Sequence, residues 1–156
     1  MKNKQKGFSL IELLIVVAII LIIAAIAIPN LLRSKMAANE ASAVGSMRTL
    51  NTAAVTYSTT YGGYPAGLTN LGPATPATST SADLVDSVLA SGTKSGYSFV
   101  WSAAAPDASG NIQSYSIAAS PLIVGTTGQR YFFTDQSGVI RANATGVADV
   151  NSTPIS

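Results

Sequence analysis

The sequence predicts an α+β chain in which one long N-terminal helix crosses a membrane in its first half and packs its second half on an antiparallel sheet of about four strands. Three observations carry this reading. The run Leu13 to Ile28 holds no polar residue and is long enough, with its flanks, to span a bilayer. A stripe of apolar residues at helical spacing follows it, and segments that alternate with period two fill the C-terminal half. In 156 residues there is room for one ordinary domain and an anchor.

Composition narrows the chemistry. Charged residues make up 10% of the chain, far below the roughly 25% of soluble domains, while hydrophobic residues reach 47%. There is no cysteine and no histidine, which excludes a disulfide framework, a thiolate nucleophile, a histidine metal site and a Ser-His-Asp triad. We therefore expect a protein that is not an enzyme and carries no cofactor. The net charge of +2 is too small to argue for nucleic acid, and three of the nine basic residues are Lys2, Lys4 and Lys6.

From Phe8 to Ile28 the chain offers about 21 residues, or ~32 Å of helix, against a hydrocarbon core of ~30 Å. Three lysines precede this span, and Arg33 and Lys35 follow it, a weak bias toward N-terminus in and C-terminus out. Three processing readings compete. A cleaved secretory signal would use the small-residue pattern Ala25-Ile26-Ala27, but the apolar run is long for one. A plain anchor accounts for the length and leaves Glu12 without a partner, at ~2.5–3.5 kcal/mol if it were central in the bilayer.

The third reading rests on the junction Lys6-Gly7-Phe8-Ser9-Leu10-Ile11-Glu12-Leu13-Leu14. This string closely resembles the class III leader of type IV pilins and the related type II secretion pseudopilins. The resemblance implies cleavage after Gly7 by a membrane prepilin peptidase and N-methylation of Phe8. It also implies that Glu12 faces the amine of Phe8 on a neighbouring subunit, so that a charge unpaired in lipid drives assembly. The organisation expected is a leader at 1–7, a transmembrane assembly helix at 8–28, a continuing stem helix at 29–61 and a globular head at 62–156.

Pro29 cannot donate a backbone hydrogen bond, so it either ends the helix or kinks and locally unwinds it. Beyond it, Met36, Ala43, Met47, Leu50, Ala54, Tyr57 and Tyr61 fall on one helical face, which predicts that the helix resumes and packs that face on the head. Pro29, Phe8 and Glu12 are the expected assembly residues. Gly62, Gly63 and Pro65 end the helix. Residues 66–81, uncharged and rich in Pro, Thr, Ser and Ala, read as an exposed connection, and 81–90 as a short helix capped by Ser81. Asp83 and Asp86 would then share a face and complement the helix dipole, more simply than forming an acid pair for chemistry or metal.

Tyr97, Phe99 and Trp101 alternate with Ser98, Val100 and Ser102, and Tyr115, Ile117 and Ala119 repeat the pattern. Two more strands come from Gly128 to Arg141, joined by a turn at 135–138, with the aromatics Tyr131 to Phe133 assigned to the buried face. The stretch Gly125 to Arg141 is similar to the C-terminal hairpin of many cysteine-free pilin-like proteins. Major pilins commonly staple this region with a cysteine pair, which is absent here. Some secretion pseudopilins hold it with calcium, and Asp135 or Asp149 could serve, although carboxylates beside turns usually cap them. Asn143-Ala-Thr145 and Asn151-Ser-Thr153 match the N-glycan acceptor pattern.

The expectation is a structural subunit, inserted as a single-pass precursor in a bacterial inner membrane and assembled with copies of itself into an extracellular helical filament. Its partners would be the prepilin peptidase and methylase and the inner-membrane assembly machinery. The alternative within the resemblance is a periplasmic pseudopilus that serves type II secretion; outside it, a signal-anchored binding module. Adhesion, motility, DNA uptake and secretion stay open at this stage.

Overall fold

A computed structural model describes residues 7–155. The first helix, α1, runs Leu10–Tyr61, and the chain divides into two compact units, one ending at Lys35 and one beginning at Met36, to both of which α1 contributes. Elsewhere there are α2 (Ser87–Ala90) and six strands: β1 (Thr93–Lys94), β2 (Tyr97–Ala103), β3 (Tyr115–Pro121), β4 (Tyr131–Asp135), β5 (Arg141–Asn143) and β6 (Thr153–Pro154).

In the first unit, Leu10 to Leu32 presents its leucines, isoleucines and valines to the surroundings, and none of its most apolar stretch is buried. A helix closes its backbone hydrogen bonds internally, so this surface suits lipid or other protein and is unfavourable in water. Pro29 lies inside α1. The helix neither ends nor unwinds there: one missing N–H deprives the Ala25 carbonyl of its usual donor, and the flanking turns hold the rest.

In the second unit, α1 buries Ala43, Met47, Leu50, Ala54 and Tyr57, five of the seven residues of the predicted stripe; Met36 and Tyr61 at its two ends are half-buried. They share one core with Tyr97, Phe99, Tyr115, Ile117, Ala119, Phe132 and Ile140 from the sheet side. Each large aliphatic in that core stabilises the fold by about 1.5–3 kcal/mol. At the end of α1, Gly62 adopts φ +83 and its N–H returns to the Ser58 carbonyl (2.9 Å), the left-handed stop that glycine accepts without a Cβ clash.

The sheet is an antiparallel meander in sequence order β1 to β6. It has six strands where four were expected, because β1 and β6 are two-residue edge strands too short to show alternation. On β2 and β3 the buried face is Tyr97, Phe99, Tyr115, Ile117 and Ala119, as the period predicts, with Trp101 half-buried on it. On β4 only Phe132 and Thr134 are buried; Tyr131 and Phe133 are half-buried on the opposite face, since period two cannot place three consecutive aromatics on one side.

Two further expectations are corrected. Residues 66–81 are not merely an exposed connection: Leu68–Leu71 forms a 3-10 turn with both leucines buried. The helix expected over 81–90 shrinks to α2, with Asp86 as its cap. The reason is backbone competition, because the amides of Ala82, Asp83, Leu84 and Val85 donate to the carbonyls of Asn70, Gly72 and Leu71 and are not free to start a helix. Asp83 sits at φ +53 outside any helix, so Asp83 and Asp86 share no helical face.

Candidate functional site

Of the expected site residues, Glu12 falls within the first turn of α1, and Gly7 and Phe8 lie just before it. Ser9 is the residue just before the helix; its Oγ accepts from the Ile11 N–H (3.3 Å), and its carbonyl accepts from the Leu13 N–H (3.2 Å). The Glu12 carboxylate reaches back and accepts from the Ser9 N–H (2.8 Å). Ser9-x-x-Glu12 is thus a capping box, in which two backbone donors left open by the helix start find side-chain partners. A carboxylate here also complements the positive end of the helix dipole. Sequence reading gave Glu12 a partner on another chain and missed this local one, although the Ser-x-x-Glu spacing before an apolar run signals it.

Gly7 and Phe8 precede the helix, Phe8 is 76% exposed, and a Cβ at Gly7 would meet nothing. The Gly7–Phe8 peptide is therefore outside helical hydrogen bonding and sterically open. Lys2, Lys4 and Lys6 lie outside the described residues. Pro29 is ~26 Å further along the helix axis and shares no contact set with Glu12.

The second unit holds a charged site that the sequence reading passed over. Glu40 is 9% exposed and fixes the loop between β3 and β4: Oε1 accepts from the Gln129 N–H (2.9 Å) and the Arg130 N–H (3.2 Å), and Oε2 from Arg130 Nε (2.7 Å). Burial works to raise its pKa, but the Gln129 amide, the Arg130 guanidinium and the Arg130 amide outweigh it and hold the carboxyl below its ordinary value. Arg130 also lies over the Phe132 ring at 5.4 Å. Beside this clamp, Asn39 Nδ2 donates to the Thr127 carbonyl (2.8 Å) and the Tyr97 hydroxyl donates to the Arg130 carbonyl (2.9 Å). Burial pushes the Tyr97 phenol far up, with the Glu40 charge adding to it. The loop passes so close to Tyr97 that a Cβ at Gly128 would collide with its ring.

The carboxylates of Asp86, Asp107, Asp135 and Asp149 are occupied by nearby backbone amides. Asp135 Oδ1 accepts from the Ser137 N–H (2.9 Å), and Asp149 Oδ1 from the Asn151 N–H (3.0 Å) and the Ser152 hydroxyl (2.9 Å). Asp86 caps α2 through the Leu89 N–H and pairs with Lys94 Nζ at 2.8 Å, which is the main cause of its lowered pKa. Among the described residues no three of His, Cys, Asp and Glu come together as a metal-ligating group.

The geometry at the start of α1 agrees with what known proteins share with this chain. The prokaryotic N-terminal methylation motif matches residues 2–28. The N-terminal segment is thus similar to that motif, carried here on an α+β chain. Over 40 residues the chain is 62% identical to the type IV wide pilus major component PilA4 of Thermus thermophilus, covering 26% of this chain and 30% of that protein. Over 52 residues it is 56% identical to the type IV major fimbrial protein FimA of Dichelobacter nodosus, covering 31% of this chain and 33% of that one. The chain thus matches about a third of the length of these relatives. No solved structure matches.

Proposed function

We propose that this chain is a structural subunit of a bacterial type IV pilus-like filament, made as an inner-membrane precursor and polymerised through α1. The observation that carries the reading is the methylation motif over residues 2–28, running into a 52-residue helix whose stretch Leu13 to Ile28 is wholly apolar and unburied. Such a helix is stable in a bilayer as a monomer and among other helices in a filament, and transfer from one to the other is what assembly requires. The similarity to PilA4 and FimA, each named as a major pilus or fimbrial component, favours a pilus over a secretion pseudopilus.

In this reading the prepilin peptidase cuts between Gly7 and Phe8, where the chain is open and non-helical, and Phe8 is then methylated. The carboxylate of Glu12 exchanges or shares its bond to the Ser9 amide for the amine created at Phe8 of a neighbouring copy. Helix α1 continues through Pro29, whose missing hydrogen bond lets the packed helix bend where copies meet. The chain performs no chemistry of its own on this view; its work is packing.

Filaments sheared from intact cells test this. Their main subunit should begin at Phe8 with an added methyl group by N-terminal sequencing and mass. A start at Ile28, or confinement of the chain to membranes with none in the sheared fraction, would overturn the reading.

A further inference from the structure

The C-terminal end of α1 borders a cleft of about 180 Å³ between the last helical turn, the segment after it and the turn that joins β2 to β3. Three tyrosines line it, Tyr57, Tyr61 and Tyr64, together with the side-chain amides of Asn70 and Asn111, and no charged residue does. Its walls are fixed. The Tyr57 and Tyr61 rings pack at 4.6 Å, Tyr64 meets the Tyr115 ring edge-on at 4.7 Å, and Tyr115 stacks on Trp101 at 4.4 Å. The Tyr64 N–H donates to the Ile112 carbonyl (2.8 Å), and the two segments run so close that a Cβ at Gly63 would sit 2.9 Å from the Ile112 nitrogen.

Within these rigid walls the polar groups are not used up by the fold. The Tyr57 hydroxyl donates to the Ser79 carbonyl (2.6 Å), and Asn70 Nδ2 donates to the same oxygen (3.2 Å). By contrast, the side chains of Tyr61, Tyr64 and Asn111 have no hydrogen-bond partner among the described residues, and the Asn70 Oδ1 has none either. Phenol hydroxyls and amides that both donate and accept converge on one small cleft whose apolar surface is aromatic. That combination binds a ligand that is apolar on one face and ringed with hydroxyls.

The geometry points to a binding site for a neutral carbohydrate, of about the size of one pyranose ring, with the tyrosines taking the C–H face of the sugar and Asn70 and Asn111 its hydroxyls. The absence of any basic side chain in the lining disfavours a sugar acid or a phosphate. The aromatic content alone would also suit a quaternary ammonium, but the lining holds no carboxylate, and two amides would be idle. The volume is below the ~300–1,000 Å³ of a drug-sized pocket, which limits occupancy to a single ring such as a chain terminus. This site goes beyond the filament reading and does not depend on it.

Saturation-transfer NMR on the full chain in detergent micelles tests the site without requiring polymerisation. The probes are the methyl glycosides of glucose, galactose and N-acetylglucosamine, with N-acetylneuraminic acid and choline as contrasts. At least one neutral glycoside should show saturation and outcompete both contrasts. Tyr61→Ala and Asn111→Ala should each weaken it about fivefold to tenfold, the amount that one lost hydrogen bond or ring contact implies. Asn111→Ala is the decisive variant, because that side chain holds nothing in the fold. Saturation of none of the neutral glycosides, preference for choline, or unchanged affinity in Asn111→Ala would overturn the proposal. A negative result leaves the N-terminal processing test untouched.

Discussion

Glu12 caps the helix start and, in the proposed reading, also pairs with a neighbouring copy, and substitutions separate the two roles. Glutamine at the third helical position still accepts from the Ser9 N–H, so Glu12→Gln keeps the capping box while removing the charge. Alanine removes both. If pairing with a neighbour's amine drives assembly, filament yield should collapse in both variants while membrane insertion and cleavage continue. Filaments of normal yield from Glu12→Gln would assign the residue to helix capping alone. Glu40 offers a second test at this scale. Replacing it with glutamine leaves Arg130 without its charge partner and should cost about 1–3 kcal/mol, read as a lower midpoint in thermal unfolding. Its folded pKa lies below the ordinary value, so the native state binds this proton more weakly than the unfolded state. The stabilisation is therefore complete above the ordinary carboxylate range of about 4.3–4.5 and fades as pH falls through the lowered value; the wild-type and Glu40→Gln stability curves should converge in acid.

Among the elements, α1 shows most clearly how one helix serves two environments. Its stripe in the second unit is tight: Leu50 is fully buried, and Leu50→Ala should destabilise that unit by about 2–5 kcal/mol. Val55, 52% exposed on the same helix, should tolerate alanine within about 0.5 kcal/mol. Equal losses at the two positions would mean that the stripe does not define the packed face. Its period and its glycine and proline stop made this element legible in the sequence. The stripe carried one unread signal, since the expected residues step by seven from Met36 to Ala43, and Glu40 occupies the missing helical step. An acidic residue on a buried face is a demand for a partner, but its partner, Arg130, is remote in sequence and no local rule points to it. The edge strands escaped for a different reason, because two residues cannot display an alternation. The shortened α2 shows tertiary hydrogen bonds overriding a plausible cap: Ser81 looked like an N-cap, yet its hydroxyl donates to the Gly72 carbonyl and the amides after it are already taken. The aromatic cleft was illegible because its residues come from the end of α1, the segment after it and a turn some fifty positions later.

For the molecule as a whole, the proposed processing would change its electrical character. Loss of Lys2, Lys4 and Lys6 with a leader cut after Gly7 would take the formal side-chain charge from +2 to −1. The precursor and the mature subunit should therefore focus on opposite sides of neutrality, and a Gly7→Val precursor, in which a branched side chain replaces the open glycine, should stay at the basic position. Appearance of the acidic species from Gly7→Val would place the cut elsewhere. The Glu40 clamp bears on a different property of the whole chain, the order in which it can fold as it is made. Nearly every sheet contact joins sequence neighbours, so the meander can grow hairpin by hairpin as it emerges. The helix stripe cannot be sealed on that schedule. Part of its cover, Gln129, Arg130, Phe132 and Ile140, is synthesised about ninety residues after Glu40, so Met47 and Leu50 wait incompletely covered while most of the chain is still being made. During that interval the chain carries a second apolar helical surface besides its N-terminal apolar segment, and, if it is exported as proposed, a ribosome stalled before residue 128 should leave it held by periplasmic holdases.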